Sequence, residues 1–207
     1  ITYVIIGLIL GGRMGYILFY NFDYYLNNFL DIFKIWHGGM SFHGGVIGIV
    51  IASILFSKKN DDDVFEYLDI IALVSPIGIF FGRIANFINS ELYGHETLVP
   101  WAVQFIIIDD LYRHPSQLYE AILEGVFLLL IMIFYWNKNK LKIPGKLSAL
   151  FLIFYSFFRF IIEYFRVPDE QLGYLILNLT MGQIISFMFF ITGLFLYYLK
   201  NDNKKKS

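Results

Sequence analysis

Six apolar stretches recur along this 207-residue chain, at about residues 1–20, 40–57, 64–81, 116–136, 147–165 and 174–199. A hydrocarbon layer about 30 Å thick is crossed by roughly 20 apolar residues in a helix. Lipid offers the backbone no hydrogen-bond partner, so a spanning segment of this length must satisfy its own amides as a helix. Charged residues make up 16% of the chain and mean hydropathy is +0.61, whereas soluble domains carry about 25% charged residues. The expected fold is therefore all-α: an integral membrane, polytopic helical bundle of six spans. It forms one domain over residues 1–207, with a short outer-face loop region between spans three and four. The second stretch opens on HGGMSFHGG, too rich in glycine to fix a helix start. Cysteine is absent, which excludes disulfides, a thiolate nucleophile and cysteine metal ligation.

The two basic residue types are sorted. Lys58 and Lys59 follow stretch two, Lys138, Lys140, Lys142 and Lys146 lie between four and five, and Lys200, Lys204, Lys205 and Lys206 follow six. With six spans these places share one face, which the positive-inside rule makes cytoplasmic. Lys34 alone lies opposite. Arg13, Arg83, Arg113, Arg159 and Arg166 all avoid the lysine-bearing loops. A charge bias that served topology only would not separate them, and arginine's planar fork suits phosphate and carboxylate where lysine is a point charge.

On this topology the polar clusters gather at the outer leaflet. GRIANFINSELYG, Gly82 to Gly94, follows the uncharged run Ile70 to Phe81. Its ionisable and amide groups need partners at membrane depth, and Arg83 and Asn86 share a helix face. An arginine that merely snorkels is the competing reading. RFIIEYFR sets Arg159, Glu163 and Arg166 at i, i+4 and i+7, with net positive charge that would welcome an anion; a structural ion pair is the alternative. Pro168 and Asp169 end that helix. HPSQLYEAILEG starts span four, with Gln117, Glu120 and Glu124 on one side as support for the site, and Glu124 deep enough to require an arginine. Arg13, among Gly11, Gly12 and Gly15, is left open between meeting Glu124 and meeting an anionic substrate. In HGGMSFHGG, His43 is favoured over His37 as a proton acceptor, against a reading in which the glycines serve helix packing. The loop HETLVPWAVQFIIIDDLYR is expected along the interface. No nucleophile elbow, zinc helix or phosphate loop is present, and His43 with His114 makes a poor metal site, so no metal is expected.

GRIANFINSELYG resembles the signature of the bacterial prolipoprotein diacylglyceryl transferases. HGGMSFHGG, HPSQLYE, FRFIIEYFRVPD and MGQIIS are similar to that family in order and spacing, over essentially the whole chain. The resemblance implies an enzyme of the bacterial cytoplasmic (inner) membrane, multi-pass, with its active site toward the outer leaflet. It would transfer the diacylglyceryl group of phosphatidylglycerol to the thiol of the lipobox cysteine of a preprolipoprotein, forming a thioether and releasing glycerol phosphate. No cofactor and no nucleic-acid partner is implied, and a monomer is expected. Carried over by position, the family's functional residues fall on His43, Arg83, Asn86, Asn89, Glu91, Gly94, Arg159 and Glu163, with Arg166 nearby. The family also has a helix before stretch one, so the sequence is expected to begin after it.

Such chemistry suits these residues. Arg83 and Arg159 would hold the phosphate whose charge grows as the carbon–oxygen bond breaks, Glu163 would orient Arg159, and His43 would take the proton of the incoming thiol. Asn86, Asn89, Glu91, Gly94 and Arg166 would bind the headgroup or order the loop. The rival classes are a transporter or flippase for an anionic lipid and a non-catalytic assembly factor.

Overall fold

A computed structural model describes residues 1–139, 143–168, 174, 175 and 178–206, with the side chains at 19, 20, 42, 43, 139 and 202–206 outside that description. Lys140, Lys142 and Asp169, which bear on topology and helix termination, lie outside the described residues. The chain divides into two compact units, Ile1–Leu68 and Asp69–Ser207.

The first unit contains helix α1 (Thr2–Tyr20), the short α2 (Phe22–Asn27), two 3-10 turns (Phe29–Phe33 and Ile35–His37) and α3 (Phe42–Asn60). α1 and α3 pack along each other. They do so through glycine: a side chain at Gly11 would run into the carbonyl of Gly44, and one at Gly48 into that of Gly7. Small residues at such a seam let backbones approach closely, so Gly44 serves helix packing, one of the two readings open from sequence. Ser41 caps α3, its hydroxyl accepting from the Gly44 amide at 3.3 Å. Helix α3 thus starts at Phe42, after the first glycine pair rather than within it. Gly38 and Gly39 both sit at φ +79° in the preceding loop, the region that favours glycine.

Within the first unit Arg13 is held by backbone carbonyls. Its guanidinium, in a residue 4% exposed, donates to the carbonyls of Ile32 (3.0 Å), Gly38 (2.6 Å), Gly39 (3.2 Å), Asp31 (2.6 Å) and Lys34 (3.3 Å). The loop's own orphan carbonyls satisfy the charge, and Arg13 in return fixes the path of residues 31–39.

Helix α4 (Val64–Ile88) carries the chain into the second unit. A two-stranded antiparallel hairpin follows, β1 (Val103–Gln104) with β2 (Tyr112–Arg113). Then come α5 (Ser116–Glu120), a π-helical stretch (Ala121–Phe127) and α6 (Leu128–Asn139), which run on as one rod, then α7 (Lys146–Ile162) and α8 (Met181–Lys206). Val64–Ile88, Ser116–Lys138 and Met181–Asn201 are long and apolar enough to cross a membrane; Thr2–Leu18 is a shorter apolar helix. At 1.5 Å per residue these three reach roughly 31–38 Å, enough for the hydrocarbon layer. α4 runs past the expected end at 81, so GRIANFI is helical. α8 begins at Met181 rather than 174, because Thr180 and Gln183 form a capping box: the Thr180 amide donates to Gln183 Oε1 (3.0 Å) and the Gln183 amide to Thr180 Oγ1 (3.2 Å).

α7 packs along α8. The core joins Ala72, Leu128, Met132, Leu147 and Leu150, flanked by Phe151, Phe154, Tyr155 and Trp136. Buried Asp69 on α4 accepts from the amides of Gly145 (2.9 Å) and Ser148 (2.7 Å) and from the Ser148 hydroxyl (2.6 Å). It thereby caps α7 from a neighbouring helix.

Candidate active site

Within the second unit, three arginines from two helices and the turn after α7 converge on the rod that begins at Ser116. Arg83 comes from α4, Arg159 from the last turn of α7, and Arg166 from just beyond it. Glu120, wholly buried, stands among them: Oε2 lies 3.1 Å from Arg83 Nε, while Oε1 pairs with Arg159 Nη1 and lies 3.4 Å from Arg166 Nη1. Glu124, also wholly buried, is 3.6 Å from Arg83 Nη2 and 3.8 Å from Arg159 Nη1. Glu163 completes the group, its Oε2 2.7 Å from Arg159 Nη2.

The backbone explains how one rod delivers two acids. Glu120 ends an α-helical turn and Glu124 lies in the π-helical stretch, whose wider winding is a feature often found at functional sites. Gly125 lets this rod lie against α4, since a Cβ there would sit 2.8 Å from Phe80 Cβ.

From sequence, Glu120 has only a supporting part, and Arg159, Glu163 and Arg166 carry a net positive charge. The structure sets Glu120 directly against the arginines and adds Glu124 to the same cluster. With Glu120 and Glu124 present the described cluster has as many acids as arginines, and Glu120 is its hub. The signal was available: an acid four residues before Glu124 in an apolar helix needs a cation as surely as Glu124 does.

Arg83 differs from its neighbours. Its side chain is 18% exposed, the most of the three, against 12% for Arg159. Nε and Nη2 face Glu120 and Glu124, and among the described residues Nη1 meets no acceptor. Arg159, by contrast, is held at both Nη atoms.

Past Ile88 the chain turns sharply. Ser90 and Leu92 take φ +57°, costly for side-chain-bearing residues, and bonds from neighbouring segments hold them there. Gln117 Nε2 donates to the Glu91 carbonyl (2.6 Å) and Ser116 Oγ to that of Leu92 (2.9 Å). The Gly94 amide donates to His114 O (3.0 Å), the His95 amide to Phe165 O (2.9 Å) and the Val167 amide to Tyr93 O (3.2 Å). A Cβ on Gly94 would stand 2.5 Å from both His114 O and Phe165 O. Only glycine allows the segment to lie between the start of α5 and the end of α7, so the loop ties together the ends that present Arg83, Glu120 and Arg159. Asn86 Nδ2 donates to Glu91 Oε2 at 2.9 Å, and Asn89 is exposed in the turn.

The loop between α4 and α5 is a hairpin stitched by Arg113, which donates to Asp109 (2.6 Å) and packs over the Tyr93 ring. This pairing holds the Asp109 carboxyl below its ordinary range. His114 meets Tyr119 Oη through Nδ1 at 3.0 Å, and Trp101 Nε1 donates to the same oxygen at 2.7 Å. Desolvation, then the nearby charge of His95, pushes the His114 imidazole below its usual pKa. His43 occupies the first turn of α3 in the first unit; its side chain is outside the described residues. No three His, Asp or Glu side chains among the described residues form a metal-binding group.

A family model described as prolipoprotein diacylglyceryl transferase matches residues 1–199. The chain belongs to this family. It is similar to the phosphatidylglycerol–prolipoprotein diacylglyceryl transferase of Rickettsia bellii strain OSU 85-389, 52% identical over 197 residues, covering 95% of this chain and 75% of the relative. Proteins of the same name match from Aeromonas hydrophila (49% over 191 residues; 92% and 69% covered) and from Nitratidesulfovibrio vulgaris strain DP4 (48% over 209 residues; 100% and 78%). This prolipoprotein diacylglyceryl transferase family member thus places Arg83, Arg159, Glu163 and Arg166 in one ionic cluster, with Glu91 and Gly94 in the loop beside it and Asn86, near the end of α4, bonded to Glu91.

Proposed function

We propose that this chain transfers the diacylglyceryl group of phosphatidylglycerol to the thiol of a lipobox cysteine in a preprolipoprotein, releasing glycerol phosphate. Family membership supports the reaction. Arg83 is the observation that carries its placement: a guanidinium fixed along one edge by Glu120 and Glu124, with Nη1 uncommitted among the described residues, is pre-oriented to donate to a phosphate oxygen. Acids behind an arginine do not cancel that role. They hold the fork in one direction, so less freedom is lost when the anion binds.

In the reaction a sulfur–carbon bond forms as the carbon–oxygen bond to phosphate breaks, and the electron pair leaves with the phosphate oxygen. Arg83, backed by Arg159 and Arg166, stabilises that growing charge in a site shielded from water. Asn86, Asn89 and Glu91 serve the headgroup hydroxyls or the loop that bounds them, and Gly94 gives that loop its path. We assign the thiol proton to His43. The protein works as a six-span monomer of the bacterial cytoplasmic membrane, with the arginine cluster toward the outer leaflet and the Trp101 hairpin at the interface.

The test incubates purified protein with phosphatidylglycerol labelled in its headgroup and a lipobox peptide. Glycerol phosphate is released only with the cysteine peptide, and His43→Gln abolishes thioether formation while the folded protein still binds lipid. Release without the peptide's cysteine, or full activity of His43→Gln, refutes the respective assignment.

A further inference from the structure

We infer that Thr180 and Gly182, at the start of α8, are positioning residues of the transfer reaction, acting through Glu163 on Arg159. This rests on the reading that the arginine cluster holds the lipid phosphate.

Arg159 takes its direction from two acids, Glu120 at Nη1 and Glu163 at Nη2. Glu120 is gripped by three arginines. Glu163 is not: it lies where α7 gives way to a turn, and among the described residues Arg159 is its one cationic partner. What aims its carboxylate comes from another helix. Thr180 Oγ1 donates to Glu163 Oε1 at 2.9 Å. The direction of that bond follows from the carboxylate, which only accepts, and the hydroxyl can give its one hydrogen there while a lone pair accepts the Gln183 amide at 3.2 Å. Gln183 Oε1 in turn holds the Thr180 amide at 3.0 Å. Thr180 and Gln183 are both buried.

Gly182 supplies the second restraint. A Cβ there would stand 2.5 Å from Glu163 Oε1, 2.6 Å from Cδ and 2.9 Å from Oε2. The first turn of α8 therefore lies flat against the carboxylate, an approach that a side chain would prevent. The capping box does more than start a helix. Its threonine is turned to hold an acid that holds an arginine.

The test measures transfer kinetics against phosphatidylglycerol and against lipobox peptide separately, with melting midpoints in detergent, for Thr180→Ser, Thr180→Val, Gly182→Ala and Arg83→Lys. Losing a hydrogen bond to a charged group is worth about 10–100-fold. Thr180→Val and Gly182→Ala are expected to raise KM for phosphatidylglycerol by about that factor and leave KM for the peptide unchanged. Thr180→Ser, which keeps both cap and donor, restores wild-type behaviour. Gly182→Ala leaves the Thr180 cap in place, so it decides between the outcomes should Thr180→Val fail to fold. A raised KM in Arg83→Lys with normal values in Thr180→Val and Gly182→Ala overturns this inference alone. A normal KM in Arg83→Lys overturns the phosphate reading itself. Equal losses for both substrates, tracking a lower melting midpoint, reduce Thr180 and Gly182 to structural residues and also overturn it.

Discussion

Glu120 and Glu124 are both wholly buried acids beside the same arginines, yet the structure ranks them far apart. Glu120→Gln keeps the shape of the side chain and removes its charge. It forfeits the pairing with Arg159 Nη1, the 3.4 Å contact with Arg166 and the 3.1 Å contact with Arg83. Breaking a buried pair while its partner stays charged costs about 3–5 kcal/mol, and for a chain of this size each kcal/mol moves the melting midpoint by about 2–4 °C. Glu120→Gln should therefore melt roughly 6–20 °C below wild type. Glu124→Gln gives up contacts at 3.6 and 3.8 Å, both beyond hydrogen-bond distance, and neither of its buried oxygens has a hydrogen-bond partner to lose, whereas Glu120 Oε1 has two. Its loss should be less than half as large. The assay is thermal unfolding in detergent followed by tryptophan fluorescence, with the transfer rate per folded protein measured alongside. Equal destabilisation by the two variants, or a larger effect at Glu124, refutes the assignment of Glu120 as hub.

Two further outcomes follow from the loop that joins the helix ends. Gly94→Ala sets a methyl group 2.5 Å from two backbone carbonyls that cannot retreat without losing their own bonds; it should cost about 1–3 kcal/mol and lower transfer with it, and a wild-type melting midpoint would remove close approach as the reason for glycine. Burial depresses the His114 pKa, so the folded state binds fewer protons than the unfolded one below a pH of about 6.5, and stability present above that value is lost as pH falls. The melting midpoint should drop between about pH 7 and pH 5, with a shallower slope in His114→Gln; an unchanged slope refutes the contribution of His114.

Much of this protein is legible in one dimension. The apolar runs are long enough to demand helices because lipid leaves the backbone no other partner, and a few charged groups stranded in such runs must find one another. That logic alone singles out Arg83, Arg159, Glu163, Arg166 and Glu124 as residues requiring partners. Pairing is where it stops. A charge at membrane depth declares a need but not which opposite charge meets it, and distance along the chain does not decide. Tertiary structure gives Arg13 to the carbonyls of its own loop, makes Glu120 the centre of the cluster, and turns the cap of α8 toward Glu163. It also explains Gly94 and Gly182 by what presses against them, carbonyls and a carboxylate far away in sequence. A glycine in a string of letters is an absence; only the neighbour that fills the space gives the reason for it.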